Sequence, residues 1–154
     1  MIDFTNTVVV DRPVGAVYDY LSDLERIPDW NWAIARTRQI TPGPVRVGTR
    51  YEQTRTVPQP ATEPLEIIGL EPNRSIEITG SLAGMPARIR YELEPLDGAT
   101  VITNRVQLAV AGAFHLAGPI LSRRISGAVA SNLNDLKTQL ERTQSPLERK
   151  ASRS

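Results

Sequence analysis

The chain has 154 residues, of which 40% are hydrophobic and 23% charged, with a formal net charge of +1 and no cysteine. This length predicts one domain, large enough to bury a core and enclose a cavity, and the composition is that of a soluble globular protein rather than a disordered one. The lack of cysteine excludes disulfides, thiolate zinc sites and iron–sulfur ligation. The small net charge argues against a nucleic-acid surface.

The two ends of the chain carry no predicted targeting or membrane segment. Residues 1–4 lack the basic and apolar regions of a signal peptide, and the longest apolar run, residues 108–121, is too short to cross a bilayer. We therefore expect a cytoplasmic protein without an integral membrane segment, present as a monomer or homodimer. Residues 142–154 hold four basic residues and one acidic residue, which predicts a domain at 1–141 and a polar basic tail at 142–154.

The first half of the chain begins with a strand and two short helices. Apolar and polar residues alternate over 2–10, which predicts a half-buried strand. Helical spacing follows over 14–24, with Asp11 as the expected cap, and Ser22-Asp23 is expected to cap a second short helix that ends near Asp29.

Six further strands are predicted in hairpin succession. Asp97-Gly98 is the strongest turn, because both residues tolerate positive φ, and residues 80–86 are predicted to form a loop. The strands are expected at 34–40, 49–57, 65–70, 75–79, 87–96 and 100–109.

The longest helical period covers residues 118–140. Its apolar stripe recurs every three or four residues and consists of Leu121, Ile125, Val129, Leu133, Leu136 and Leu140. The element order predicts an α+β fold in which a seven-stranded curved antiparallel sheet wraps round this C-terminal helix. We expect the first three stripe residues to face a cavity between sheet and helix, and the last three to seal it.

Several polar side chains share the predicted inner face of the sheet. Period two places three of them on one strand and two on the neighbouring hairpin, namely Tyr51, Gln53, Arg55, Tyr91 and Asn104. Apolar walls with a few convergent hydrogen-bonding groups are typical of a ligand pocket. The alternative is a register shifted by one residue near Gly48, which would turn Arg55 to solvent.

Three kinds of side chain, an arginine, the tryptophans and the histidine, are candidates for ligand contact or catalysis. An inward Arg55 needs a partner, either a carboxylate such as Glu66 or an anionic or carbonyl-bearing ligand. Trp32 is a candidate contact for a ring or acyl chain, while Trp30 is expected to anchor the short helices to the sheet. His115 is the only histidine and the simplest general acid or base near neutral pH, although a lone linker histidine is more often only solvated.

The order and spacing of several short segments resemble the START-like superfamily, also called SRPBCC or birch-pollen-allergen-like, and within it the polyketide cyclase/dehydrase group. The matching segments are Asp11-Arg12-Pro13 after the first strand, Pro28-Asp29-Trp30, Val47-Gly48-Thr49, Leu70-Glu71-Pro72, Leu96 with Gly98, Gly112, and Leu136 with Leu140. The resemblance covers residues 2–141 and implies the helix-grip fold. Members of this superfamily include lipid carriers, hormone receptors and cyclases.

Two functions follow as expectations. The first is binding of a hydrophobic small molecule, such as a lipid, polyketide-like or aromatic metabolite, by Trp32, Tyr51, Gln53, Arg55, Tyr91, Asn104, Leu121, Ile125 and Val129. The alternative is a polyketide cyclase or dehydratase in which Arg55, Tyr91 and His115 are the catalytic candidates. No metal-ligand or phosphate-binding motif is present, so we expect no metal and no cofactor. The arginines on the polar faces of their elements are expected to be solvated, namely Arg36, Arg38, Arg88, Arg90, Arg123 and Arg124.

Overall fold

The computed structural model describes residues 1–57, 59–82, 84–110 and 118–142. A short 3-10 turn, Leu24–Arg26, lies between the first two helices. The remaining elements, in chain order, are β1 (Ile2–Val10), α1 (Val14–Leu21), α2 (Ile27–Trp30), β2 (Ile34–Gln39), β3 (Arg50–Arg55), β4 (Ala61–Glu71), β5 (Ser75–Leu82), β6 (Met85–Leu96), β7 (Ala99–Leu108) and α3 (Gly118–Arg142).

The seven strands form one antiparallel sheet in the order β1-β7-β6-β5-β4-β3-β2. Strands β2 to β7 pair with their neighbours in sequence, as hairpin succession predicts, and β1 returns to pair with β7. Register shifts between Ile34 and Arg36 and between Ile67 and Gly69 interrupt the ladders, and such bulges increase the bend of a strand. Helix α3 packs against β1 and α2. The predicted α+β helix-grip fold is confirmed.

Two hairpins differ from the sequence prediction. The ladder between β5 and β6 continues to the pair Leu82 and Met85, so the predicted loop at residues 80–86 was wrong, because strand pairing extends through most of it. Strand β4 begins at Ala61 rather than at residue 65. Pro64 is tolerated there because β4 pairs only with β3 at that point, and its ladder with β5 starts at Glu66.

The helix caps also differ from the prediction. Pro13 is the residue that precedes α1, and no side chain caps this helix. Asp11 lies too far upstream to reach the first helical N–H groups, and its own backbone N–H donates to Glu141 Oε2 at 3.0 Å. Asp23 precedes the 3-10 turn without capping it, because its carboxylate accepts a hydrogen bond from Arg26 Nε instead.

The core consists of two clusters that meet different parts of α3. The larger one joins α1, α2 and the middle of the sheet to the C-terminal half of α3, where Leu133, Leu136 and Leu140 are buried. The smaller one joins the ends of β1, β6 and β7 to the N-terminal half, around Ile125. The three C-terminal leucines therefore seal sheet against helix as predicted.

Candidate functional site

A cavity of about 650 Å³ lies between the sheet, α2 and the N-terminal half of α3. Volumes of about 300–1,000 Å³ are typical of small-molecule sites. Its wall is mostly aliphatic and aromatic, with a few polar side chains from β3, β5, β6, α3 and the end of α2. The lining residues are Ile27, Trp30, Asn31, Trp32, Ala33, Ile34, Gln53, Arg55, Val57, Leu65, Ile78, Ser81, Leu82, Ile89, Tyr91, Arg124, Ile125, Ala128, Val129 and Asn132.

Arg55 lines this cavity, and its guanidinium is held by protein groups on two sides. Its Nε donates to Glu63 Oε1 at 2.8 Å, and its Nη1 donates to the carbonyl of Gln59 at 2.9 Å. The Arg55 and Glu63 side chains are 13% and 17% exposed. The side chain therefore joins β3 to β4 and to the loop between them, at one edge of the cavity.

Arg55 pairs with a protein carboxylate, which was one of the two expected alternatives, but the carboxylate is Glu63 and the suggested Glu66 was wrong. Arg50 lies opposite Glu66 in the β3–β4 register, and these two side chains form their own exposed ion pair at 2.8 Å. Glu63 lies opposite Gln53, two residues from Arg55 on the same face. A long arginine reaches this diagonal neighbour, which a count of alternating residues does not single out.

Gln53 is buried between β2 and the cavity. Its Oε1 accepts a hydrogen bond from Thr37 Oγ1 at 3.3 Å, while its amide nitrogen makes no hydrogen bond with a described residue. Gln53 thus places an unused donor beside the cavity wall.

Tyr91 and Trp30 form the aromatic part of the wall. Their rings meet edge to face at 6.5 Å between centroids and an interplanar angle of 89°, a favoured geometry for aromatic pairs. Burial raises the pKa of Tyr91 well above its usual value, so the phenol stays protonated at neutral pH. Its hydroxyl makes no hydrogen bond with a described residue and is an available donor.

The two tryptophans differ in exposure. Trp30 is buried and links α2 to β6, in agreement with the predicted anchoring role. Trp32 also lines the cavity, but its side chain is 61% exposed. Trp32 therefore stands at the mouth rather than inside.

Six of the nine predicted ligand-binding residues line the cavity, and Tyr51, Asn104 and Leu121 do not. Tyr51 is buried under the wall, and Asn104, opposite Tyr91 in the sheet, donates from Nδ2 to the carbonyl of Arg90. Leu121 packs on the smaller core cluster. Tyr51 and Asn104 lie on the inner face of the sheet, but only part of that face borders the cavity, and Leu121 belongs to α3. The catalytic candidate His115 lies outside the described residues.

Four polar lining residues were not among the predicted site residues: Asn31, Ser81, Arg124 and Asn132. Asn132 is 8% exposed, and its Oδ1 has no hydrogen-bond partner among the described residues. The Ser81 hydroxyl is likewise buried and unpartnered. Arg124, Ala128 and Asn132 follow one another at intervals of four on α3, so this stripe beside the apolar one was the available signal.

Within the described ranges, no three acidic or histidine side chains are grouped so as to hold a metal ion. No helix in the same ranges is long and apolar enough to cross a membrane.

An antiparallel sheet closed by one long helix, with an apolar cavity between them, defines a helix-grip protein. Residues 1–141 match the sequence profile of the family described as "Polyketide cyclase / dehydrase and lipid transport", and the chain belongs to this family. The START-like resemblance predicted from the sequence is thereby confirmed. No protein of curated function matches the chain in sequence.

Solved structures share this fold at low sequence identity. A START superfamily protein from Mycobacterium smegmatis, 16% identical, has a TM-score of 0.78 over 94% of this chain and 100% of its own. The Zhui aromatase/cyclase from a Streptomyces species, 17% identical, has a TM-score of 0.72 over 94% of this chain and 96% of its own. The protein TTHA0849 from Thermus thermophilus, 13% identical, has a TM-score of 0.72 over 93% of this chain and 99% of its own.

Proposed function

We propose that this protein binds a hydrophobic small molecule, such as a lipid, polyketide-like or aromatic metabolite, in the cavity between sheet and α3. The observation that carries the proposal is a cavity of about 650 Å³ with an aliphatic and aromatic wall, into which a few hydrogen-bonding groups converge. The Ser81 hydroxyl and the Asn132 amide oxygen are buried with no hydrogen-bond partner among the described residues, which costs free energy. A ligand with polar substituents on an apolar body would recover it.

The family description supports this proposal without deciding between its two activities, since it names both cyclase/dehydrase and lipid transport. Cyclase or dehydratase activity is the second candidate, and Tyr91 favours it, because a buried neutral phenol can donate to a developing enolate oxygen. None of the described lining residues carries a carboxylate or an imidazole. The lack of such a proton acceptor among the described wall residues supports binding over catalysis.

Binding can be tested with N-phenyl-1-naphthylamine, an apolar aromatic dye that becomes fluorescent in apolar sites. We expect saturable binding by the wild type. Val129→Trp, which places an indole in the cavity wall, should weaken the affinity by at least about tenfold, or about 1.4 kcal/mol. Ser131→Trp is the matched control, because Ser131 is exposed on the same helix and does not line the cavity; it should bind as the wild type does.

Thermal unfolding of each variant shows whether it is folded. If Val129→Trp does not fold, Ile89→Phe replaces it, because this substitution fills the same cavity from the sheet side. Dye fluorescence that does not saturate, or equal affinities for the wild type and both cavity-filling variants, would show that the dye binds elsewhere and would reject the proposal.

A further inference from the structure

Large apolar side chains are exposed around the cavity mouth. Trp32 and Val57 line the cavity and are 61% and 40% exposed. Ile120 is 65% exposed and lies one helical turn before the lining residue Arg124, so both project from the same side of α3. Apolar side chains from three separate chain segments thus surround one opening.

The segments that frame the mouth contain no carboxylate. The chain has 17 aspartates and glutamates, yet none occurs within residues 30–35, 56–62, 80–87 or 118–134. The only charges in these four segments are Arg123 and Arg124. Both are exposed, and neither forms an ion pair with a described residue. The rim formed by these four segments is therefore apolar and positively charged, while Asp29 and Asp135 lie in an adjoining depression that Trp30 and Trp32 also line.

The outer face of the sheet carries carboxylates as well as arginines. Several of these arginines bind carboxylates, as in the bonds of Arg88 and Arg90 to Glu77. The exposed Leu96 stands between Glu94 and Asp97 in the chain. Leu96 is thus exposed among acidic residues, which the four rim segments lack.

We propose that the cavity mouth docks on the surface of a lipid bilayer that contains anionic lipids. Tryptophan is enriched at membrane interfaces, where its ring lies at headgroup depth. Val57 and Ile120 would enter the acyl boundary, and Arg123 and Arg124 would bind lipid phosphates, to which basic residues near an anionic surface are attracted. The docking goes beyond the proposed function and does not depend on it. One consequence rests on the proposed function: a hydrophobic ligand of the cavity would pass between bilayer and cavity without crossing water.

Co-sedimentation with vesicles tests the docking surface directly. We expect the full chain to bind vesicles of phosphatidylcholine with about one quarter phosphatidylglycerol, and to bind phosphatidylcholine alone far more weakly. Trp32→Ser and the double variant Arg123→Gln/Arg124→Gln should each reduce the affinity by about tenfold, and added salt should weaken binding because it screens the arginines.

Matched control variants distinguish binding through the rim from binding that depends only on the overall hydrophobicity and charge of the protein. Leu96→Ser removes an exposed apolar side chain at the β6–β7 turn, and Arg36→Gln/Arg38→Gln removes two exposed charges from β2. Both should bind vesicles as the wild type does. Emission from Trp32, which is far more exposed than Trp30, should shift to shorter wavelength when the vesicles bind.

Several results would overturn the proposal. Failure to bind either kind of vesicle would reject membrane docking and favour an acidic protein as the partner of the rim. Displacement of the protein from vesicles by soluble glycerol phosphate would show that the rim binds a free anion and not a bilayer. Equal losses in the rim and control variants would show unspecific adsorption. Val129→Trp should lose dye binding but keep vesicle binding, so failure of ligand binding and failure of docking are seen in separate measurements.

Discussion

Tyr51 carries a hydroxyl group that is buried without a hydrogen-bond partner among the described residues. Its side chain is 2% exposed, and burial raises its pKa to about 12. Among the charges around it, Asp23 and Glu25 act in the same direction. The ring fills the core, while the oxygen has lost its water without gaining a partner, which costs free energy.

We expect Tyr51→Phe to leave the free energy of unfolding unchanged or raise it by about 1 kcal/mol at neutral pH. The stability of Tyr51→Phe relative to the wild type should increase further as the pH rises above 10. Below pH 10 tyrosine is neutral in the folded and unfolded chains. Between pH 10 and 12 the unfolded chain loses the proton while the folded chain retains it, so the wild type loses stability by up to about 1.4 kcal/mol per pH unit.

Urea unfolding of wild type and variant across this pH range measures both effects. A variant that is clearly less stable at neutral pH would show that the hydroxyl has a hydrogen-bond partner in solution.

At the scale of elements, the β6–β7 hairpin illustrates how a turn imposes its residue types. Asp97 and Gly98 have φ values of 49° and 83°, so both adopt the positive φ that the predicted hairpin turn uses. A Cβ built on Gly98 would meet no atom within 4 Å. The demand for glycine is therefore conformational and not steric.

Gly98→Ala should lower the free energy of unfolding by about 1–2 kcal/mol, because alanine is strained at positive φ. Gly127→Ala is the matched control: this glycine is exposed within α3, and its added Cβ would likewise meet open space. Alanine there should raise stability by about 0.5–1 kcal/mol, because glycine is a poor helix former. Denaturant unfolding compares the two, and a Gly98→Ala variant as stable as the wild type would contradict the positive-φ turn.

For the whole molecule, the division of α3 into two halves determines where the cavity lies. Leu136 is fully buried in the larger core cluster, whereas Ile125 borders the cavity as well as the smaller cluster. The two side chains contain the same number of carbons but have different surroundings. One has core atoms on every side, and the other faces a void on one side.

Leu136→Ala should therefore cost about 3–4 kcal/mol of unfolding free energy, and Ile125→Ala roughly half as much, because a side chain beside a void has fewer contacts to lose. Urea unfolding of both variants without ligand provides the measurement. Equal costs would mean that the cavity collapses in solution, and the dye titration should then also fail.

Local patterns in the sequence were sufficient for most of the fold. Alternation placed Tyr51, Gln53 and Arg55 on one face, turn residues located the β6–β7 hairpin, and the apolar period located α3. Each depends on residues close together in the chain, where strand alternation, positive φ and the helical repeat act directly. The errors occurred at strand ends and helix caps, where a proline or an aspartate is compatible with several local structures.

Contacts between distant segments decided the rest. Only the pairing of β3 with β4 determined that Arg55 binds Glu63 and leaves Glu66 to Arg50. Only the way in which α2 and α3 cover the sheet determined that Arg124 and Asn132 border the cavity while Tyr51 and Asn104 lie beneath its wall. The sequence by itself thus determined which face each side chain occupies, because that depends on backbone periodicity. The tertiary structure decided which of those side chains meet a void, because a cavity is bounded by elements that no local pattern relates.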